Sequence, residues 1–150
     1  MKINLMASNL RTIGASHIDT FMTHKQSSAV EKGKLSLSRG NNEQARKEGF
    51  YFISIGDAIV HISHAGRQKK QRGFMEVLSR FNNPRTAQNE VTSEQIYGEC
   101  CKGQSTQLYW MSYAQVRMML GIEEYSSMNN GRTIITELRE LFSIPGRHKS

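Results

Sequence analysis

Cysteine is nearly missing from this chain, and the two it has, Cys100 and Cys101, are adjacent. Neighbours on a helix point in different directions and rarely bridge each other, so no disulfide framework is expected. That pattern suits a reducing compartment, and the cytoplasm is the expected location. Long apolar runs are also lacking. No stretch approaches the length of a spanning helix or a signal-peptide core, so neither a transmembrane segment nor a cleaved hydrophobic leader is expected. Hydrophobic residues make up 37% of the sequence, below the usual share for a globular chain, so a core is expected only if part of the chain stays outside it.

Catalytic and metal signatures are wanting too. His61 and His64 lie on or just after a strand pattern, and Cys100 and Cys101 lie in a helical one. No spacing among them matches a zinc site. Gly33 and Gly40 lack the strand-to-helix context of a phosphate loop. The sequence therefore predicts no catalytic residue, no metal and no cofactor, and a protein that is not an enzyme. A cysteine–histidine nucleophile would require tertiary contacts that the spacing does not announce.

Acidic residues are in the minority. Thirteen carboxylates face 20 lysines and arginines, for a net charge of +7, which favours a polyanionic partner. The excess is uneven. Residues 67–85 carry Arg67, Lys69, Lys70, Arg72, Arg80 and Arg85 against Glu76 alone. Clustered cations of this kind release counterions from a polyphosphate and give affinity without sequence choice. Residues 86–141 are mildly acidic, with four cations against seven carboxylates.

Along the chain, residues 1–48 are rich in Ser, Thr, Asn, Lys and Gly, with Phe21 as the single aromatic. They read as a flexible basic arm, with 33–42 as linker and Leu35 and Leu37 at best a short strand. Residues 49–150 read as one α+β domain. Phe50–Ile55 and Ala58–Ser63 are β-branched and aromatic around Gly56–Asp57, which predicts a hairpin with a glycine-led turn. Phe74, Val77, Leu78 and Phe81 fall on one helical face, and Asn83–Pro84 ends it. Thr92 and Ser112 each resemble a hydroxyl N-cap with Gln three residues on. A last amphipathic helix over 130–142 carries Ile134, Ile135, Leu138, Leu141 and Phe142 as one stripe. The expected fold is thus an arm, one hairpin, a basic helix and a C-terminal three-helix unit.

That C-terminal unit resembles helix-turn-helix regulators in a general way, through Leu120-Gly121-Ile122 followed by a helix ending Glu137-Leu138-Arg139-Glu140-Leu141. The resemblance implies a supporting helix at Ser112 and a reading helix that presents Asn130, Arg132, Thr133 and Thr136 to base edges. The reading is then a non-enzymatic nucleic-acid-binding regulator of bacterial type, for DNA, with phosphate contacts from the 67–85 block. A homodimer fits, because the exposed hairpin edge offers a pairing surface. The alternative is a secreted or host-directed interaction protein, a virulence factor. Residues 1–30 resemble the uncleaved leaders of bacterial type III effectors, and the basic face would dock an acidic host protein.

Overall fold

The computed structural model describes residues 6–24, 34–38, 43–65, 73–121, 134–135 and 138–140. Five strands form one antiparallel sheet: β1 (Ser16–His24), β2 (Lys34–Leu37), β3 (Gly49–Ile55), β4 (Ala58–Ala65) and β5 (Thr106–Met111), in the order β2-β1-β5-β3-β4. Among the described residues three bounded helices accompany them, α1 (Phe74–Asn82), α2 (Ala87–Cys101) and α3 (Tyr113–Leu120), with residues 134–135 and 138–140 also helical.

Alternation along β3 sorts the core into two layers. Phe50 and Phe52 point to one face and meet Leu10, Met111, Val116, Ile134 and Leu138. Tyr51 and Ile53 point to the other and meet Phe21, Phe74, Phe81, Ile96 and Leu108. All four β3 side chains are 0% exposed, which is why this strand reads as continuously apolar. Burial of each contributes roughly 2 kcal/mol. The hairpin and its turn form as expected, with Gly56 at φ 60°.

The expected architecture is overturned at both ends of the chain. The arm is not a flexible extension, since β1 pairs with β5 and with β2 inside the sheet. Its sparse apolar residues Ile18, Phe21, Leu35 and Leu37 are each 2% exposed, enough to seat two strands on a core supplied by other elements. Residues 7–9 form a 3-10 turn clasped to the hairpin. The Ala7 amide donates to the Asp57 carbonyl at 2.9 Å, and the Ser8 amide to Asp57 Oδ1 at 2.7 Å.

The three-helix unit does not exist either. A central strand, β5, separates α2 from α3. Moreover, α2 buries Ile96 on one face of the sheet, whereas α3 and the 134–138 residues bury Val116, Ile134, Ile135 and Leu138 on the other. The first helix start also shifts. Thr86 is the N-cap of α2 and its side chain accepts from the Asn89 amide, while Thr92 and Ser93 are buried within the helix. The second start holds: Ser112 Oγ accepts from the Gln115 amide at 3.2 Å. The Gln115 side chain does not return to the cap but donates to the Ile13 carbonyl at 2.9 Å. Gly121 ends α3 in the left-handed region at φ 69°.

Candidate nucleic-acid interface

Strand directions place the start of β3 and the finish of β4 at the same end of the sheet, with Gly49 opposite Ala65. Residues 43–48, in which Arg46 and Lys47 are balanced by Glu43 and Glu48, and Ala65, which precedes the basic 66–72 sequence, lie there. The 3-10 turn Glu43–Arg46 leads through Lys47 and Glu48 into β3. The segment 66–72, which carries Arg67, Lys69, Lys70 and Arg72, joins Ala65 to Gly73. Gly73 sits directly against the 3-10 turn: a Cβ there would lie 2.5 Å from the Arg46 carbonyl carbon and 2.7 Å from the Ala45 oxygen. Its φ of 55° is likewise one that a side chain disfavours. Close backbone approach thus brings Arg46 and Lys47 beside the exit of the basic segment.

Both approaches to this end are fixed by aromatic side chains. The Tyr51 hydroxyl donates to the Lys47 carbonyl at 2.5 Å, and burial pushes that phenol far above its ordinary range. Trp110, the one tryptophan, donates its indole N–H to the Glu48 carbonyl at 3.1 Å. The Lys47 ammonium stands 5.1 Å from the centre of the Trp110 ring, a cation–π contact. Tyr113, in the first turn of α3, donates to the Ala65 carbonyl at 3.2 Å, and its oxygen lies 2.7 Å from His64 Nε2. The entry and exit of the 66–72 segment are therefore held by the sheet.

Along the sequence the positive excess is densest between β4 and α1, where residues 66–72 carry Arg67, Lys69, Lys70 and Arg72 and no carboxylate.

The candidate residues fare unequally. Arg67, Lys69, Lys70, Arg72, Asn130, Arg132, Thr133 and Thr136 lie outside the described residues. Arg80 is exposed on α1 and pairs loosely with Glu76 at 3.8 Å. Arg85 is exposed between α1 and α2. Since α1 packs on one face of the sheet and Ile134, Ile135 and Leu138 on the other, Arg80 and Arg85 do not share a helix-turn-helix surface with the terminal helical residues. Arg46, Lys47 and Trp110 were not singled out from sequence. The available signal was a basic pair immediately before the strongest strand, and it was absorbed into the supposed arm.

Among the described residues the cysteines and the buried His61 lie apart. Cys100 Sγ donates to the Phe21 carbonyl at 3.4 Å, above β1. His61 is buried on edge strand β4 against Phe81, ring centres 5.3 Å apart. Two strands, β5 and β3, lie between β1 and β4. Among the described residues no group of three His, Cys, Asp or Glu could hold a metal ion, and no helix is long and apolar enough to cross a membrane.

The family model of the T4-like phage nuclear disruption protein (Ndd) matches residues 2–145. The chain belongs to that family. No curated protein and no solved structure matches it. Membership in a phage nuclear disruption family, together with the sheet-rich fold, corrects the expectation of a bacterial helix-turn-helix transcription regulator or virulence factor. The match also runs through both the supposed arm and the supposed domain.

Proposed function

We propose that this nuclear disruption family member is a non-enzymatic nucleic-acid-binding protein that grips the phosphate backbone of duplex DNA with the cationic end of its sheet. On this reading it acts in the cytoplasm of the phage-infected cell. Arg67, Lys69, Lys70 and Arg72 supply most of the phosphate contacts, and Arg46 and Lys47 extend them along the adjoining turn. Arg80 and Arg85 on the α1 side add long-range attraction rather than base readout. The observation that carries the reading is the run of four cations without a carboxylate over residues 66–72, joining β4 to α1 beside the start of β3.

That distribution suits sequence-independent binding. Phosphate contacts position a protein on DNA but carry no base information. Cations on segments anchored at both ends lose less freedom on contact than cations on an unanchored tail, because the chain entropy of closing the segment is already spent in folding. The family's description as a nuclear disruption protein fits an agent that competes for the backbone of packaged DNA. Charge reversal at two positions, Lys69→Glu with Lys70→Glu, should weaken binding to a random-sequence duplex and to any chosen sequence by the same factor. Unchanged affinity in a folded double variant would refute the assignment.

A further inference from the structure

On the sheet face that carries Phe52 and Ile62, two neighbouring rungs cross from β1 through β5 to β3. One rung is aromatic: His17 pairs with Tyr109, and Tyr109 with Phe52. The His17 and Tyr109 rings stand edge to face with centres 5.3 Å apart. The next rung is polar: Thr20 pairs with Gln107, and Gln107 with Ser54. Gln107 Oε1 accepts from Thr20 Oγ1 at 2.9 Å and from His17 Nε2 at 2.5 Å, and Gln107 Nε2 donates to Ser105 Oγ at 2.7 Å. An amide oxygen can only accept, so His17 holds a proton on Nε2 and the neutral ring leaves Nδ1 as an acceptor. His17, Thr20, Gln107 and Tyr109 are all half-buried rather than sealed. Ser54 is 0% exposed, and among the described residues its hydroxyl has no hydrogen-bond partner. A buried hydroxyl left unpaired beside a polar rung is uncommon and marks a place where a further group completes the bonding.

We propose that these two rungs hold an unpaired base of a single DNA strand, stacked on Tyr109 against His17 and bonded along its edge by the Gln107–Ser54 rung. The ligand class follows from the lining. A nucleobase is a flat ring with a π-face for the aromatic rung and a rim of donors and acceptors for the polar one. Stacking of this kind tolerates any base, because every base has a π-face. A paired base is shielded inside the duplex stack, so the site selects unpaired strands. Charge permits the approach. Of the five strands only β1 contains a carboxylate, Asp19, and its register partner Leu108 places it on the opposite face. The face thus offers a polyanion no fixed negative charge, in a chain of net charge +7. In taking DNA as the source of the base, the proposal rests on the nucleic-acid reading above; the stacking site itself is separate from the phosphate grip.

Fluorescence anisotropy of the full chain with an oligothymidylate, and with an abasic strand of equal length and charge, isolates what the bases contribute. The wild type should bind the oligothymidylate about tenfold more tightly, and Tyr109→Leu should bring the two affinities together. Tyr109 also packs beside the core, so a wild-type readout accompanies the variant: the His17 and Tyr109 ring resonances should shift with the oligothymidylate and not with the abasic strand. Equal affinity of the wild type for both strands overturns the proposal. So does a base-dependent gain that survives Tyr109→Leu in a folded variant, or ring resonances that respond to both strands alike. The abasic strand reads the phosphate grip by itself. Failure of that grip shows as weak abasic binding, whereas failure of stacking shows as equal binding.

Discussion

His64 Nε2 and the Tyr113 hydroxyl oxygen stand 2.7 Å apart, tying the last turn of the hairpin to the first turn of α3. Tyr113 has one hydroxyl proton and donates it to the Ala65 carbonyl. Its oxygen is left to accept from His64, so the neutral Nε2–H tautomer satisfies both groups. The His64 ring also lies against Phe50, with centres 4.9 Å apart. Desolvation there lowers the His64 pKa below its ordinary 6.5.

A pH dependence of stability follows from that shift. The unfolded chain takes up a proton on His64 near pH 6.5, while the folded chain resists it to lower pH. Between those two values the unfolded state binds more protons, so stability falls as pH drops from about 6.5 toward the lower folded value. Denaturant unfolding of wild type and His64→Gln across that window should show the wild type losing more stability than the variant. Equal losses would remove His64 as the cause.

Tyr113→Phe should cost about 1–3 kcal/mol, because it removes two hydrogen bonds of about 1 kcal/mol net each and leaves their half-buried partners unpaired. The aromatic contact with Phe50, edge-on at 5.5 Å between centres, should survive. Chemical denaturation gives the first quantity, and amide exchange at Ala65 and its neighbours should report loosening confined to the root of the basic segment.

Gly73→Ala should be among the most damaging single changes in the described structure. It combines a φ of 55° with a 2.5 Å approach of the new methyl to the Arg46 backbone, and backbone cannot swing aside as a side chain can. A loss above roughly 2 kcal/mol is expected. Gly103→Ala, at φ 85° with open space around it, should lose less, because only the dihedral cost applies. Melting both variants alongside wild type checks the ranking.

Helix starts give a third contrast. Thr86→Ala and Ser112→Ala each remove an observed cap and should cost about 1 kcal/mol. In Thr92→Val the hydroxyl is lost from a buried mid-helix position rather than from a cap. Helix content near the start of α2 should then fray in Thr86→Ala and stay intact in Thr92→Val, which residue-resolved amide exchange can distinguish.

What could be read from sequence follows from how local the cause was. The β3–β4 hairpin, α1 and the Ser112 cap are set by neighbours a few residues apart, and each was legible. β5 was missed because Thr-Gln-Leu-Tyr-Trp-Met is half-polar and its stability comes from β1 and β3 on either side. β1 was missed and β2 reads as at best a short strand for the same reason: Ile18, Phe21, Leu35 and Leu37 are too few to form a core alone. The α2 boundary slipped because Thr92 and Ser93 are buried hydroxyls that mimic a cap in sequence. At the candidate interface the cationic block itself was plain, but the approach of Arg46 to Gly73 spans 27 positions and leaves no local trace.

The salt dependence of duplex binding by the wild-type chain tests the central claim most directly. If Arg67, Lys69, Lys70 and Arg72 neutralise phosphates, the logarithm of affinity should fall against the logarithm of salt concentration with a slope of about −3.6 or steeper. Random and chosen duplexes should give the same slope. Binding that is indifferent to salt, or that discriminates strongly between sequences at every ionic strength, would contradict a backbone-gripping role.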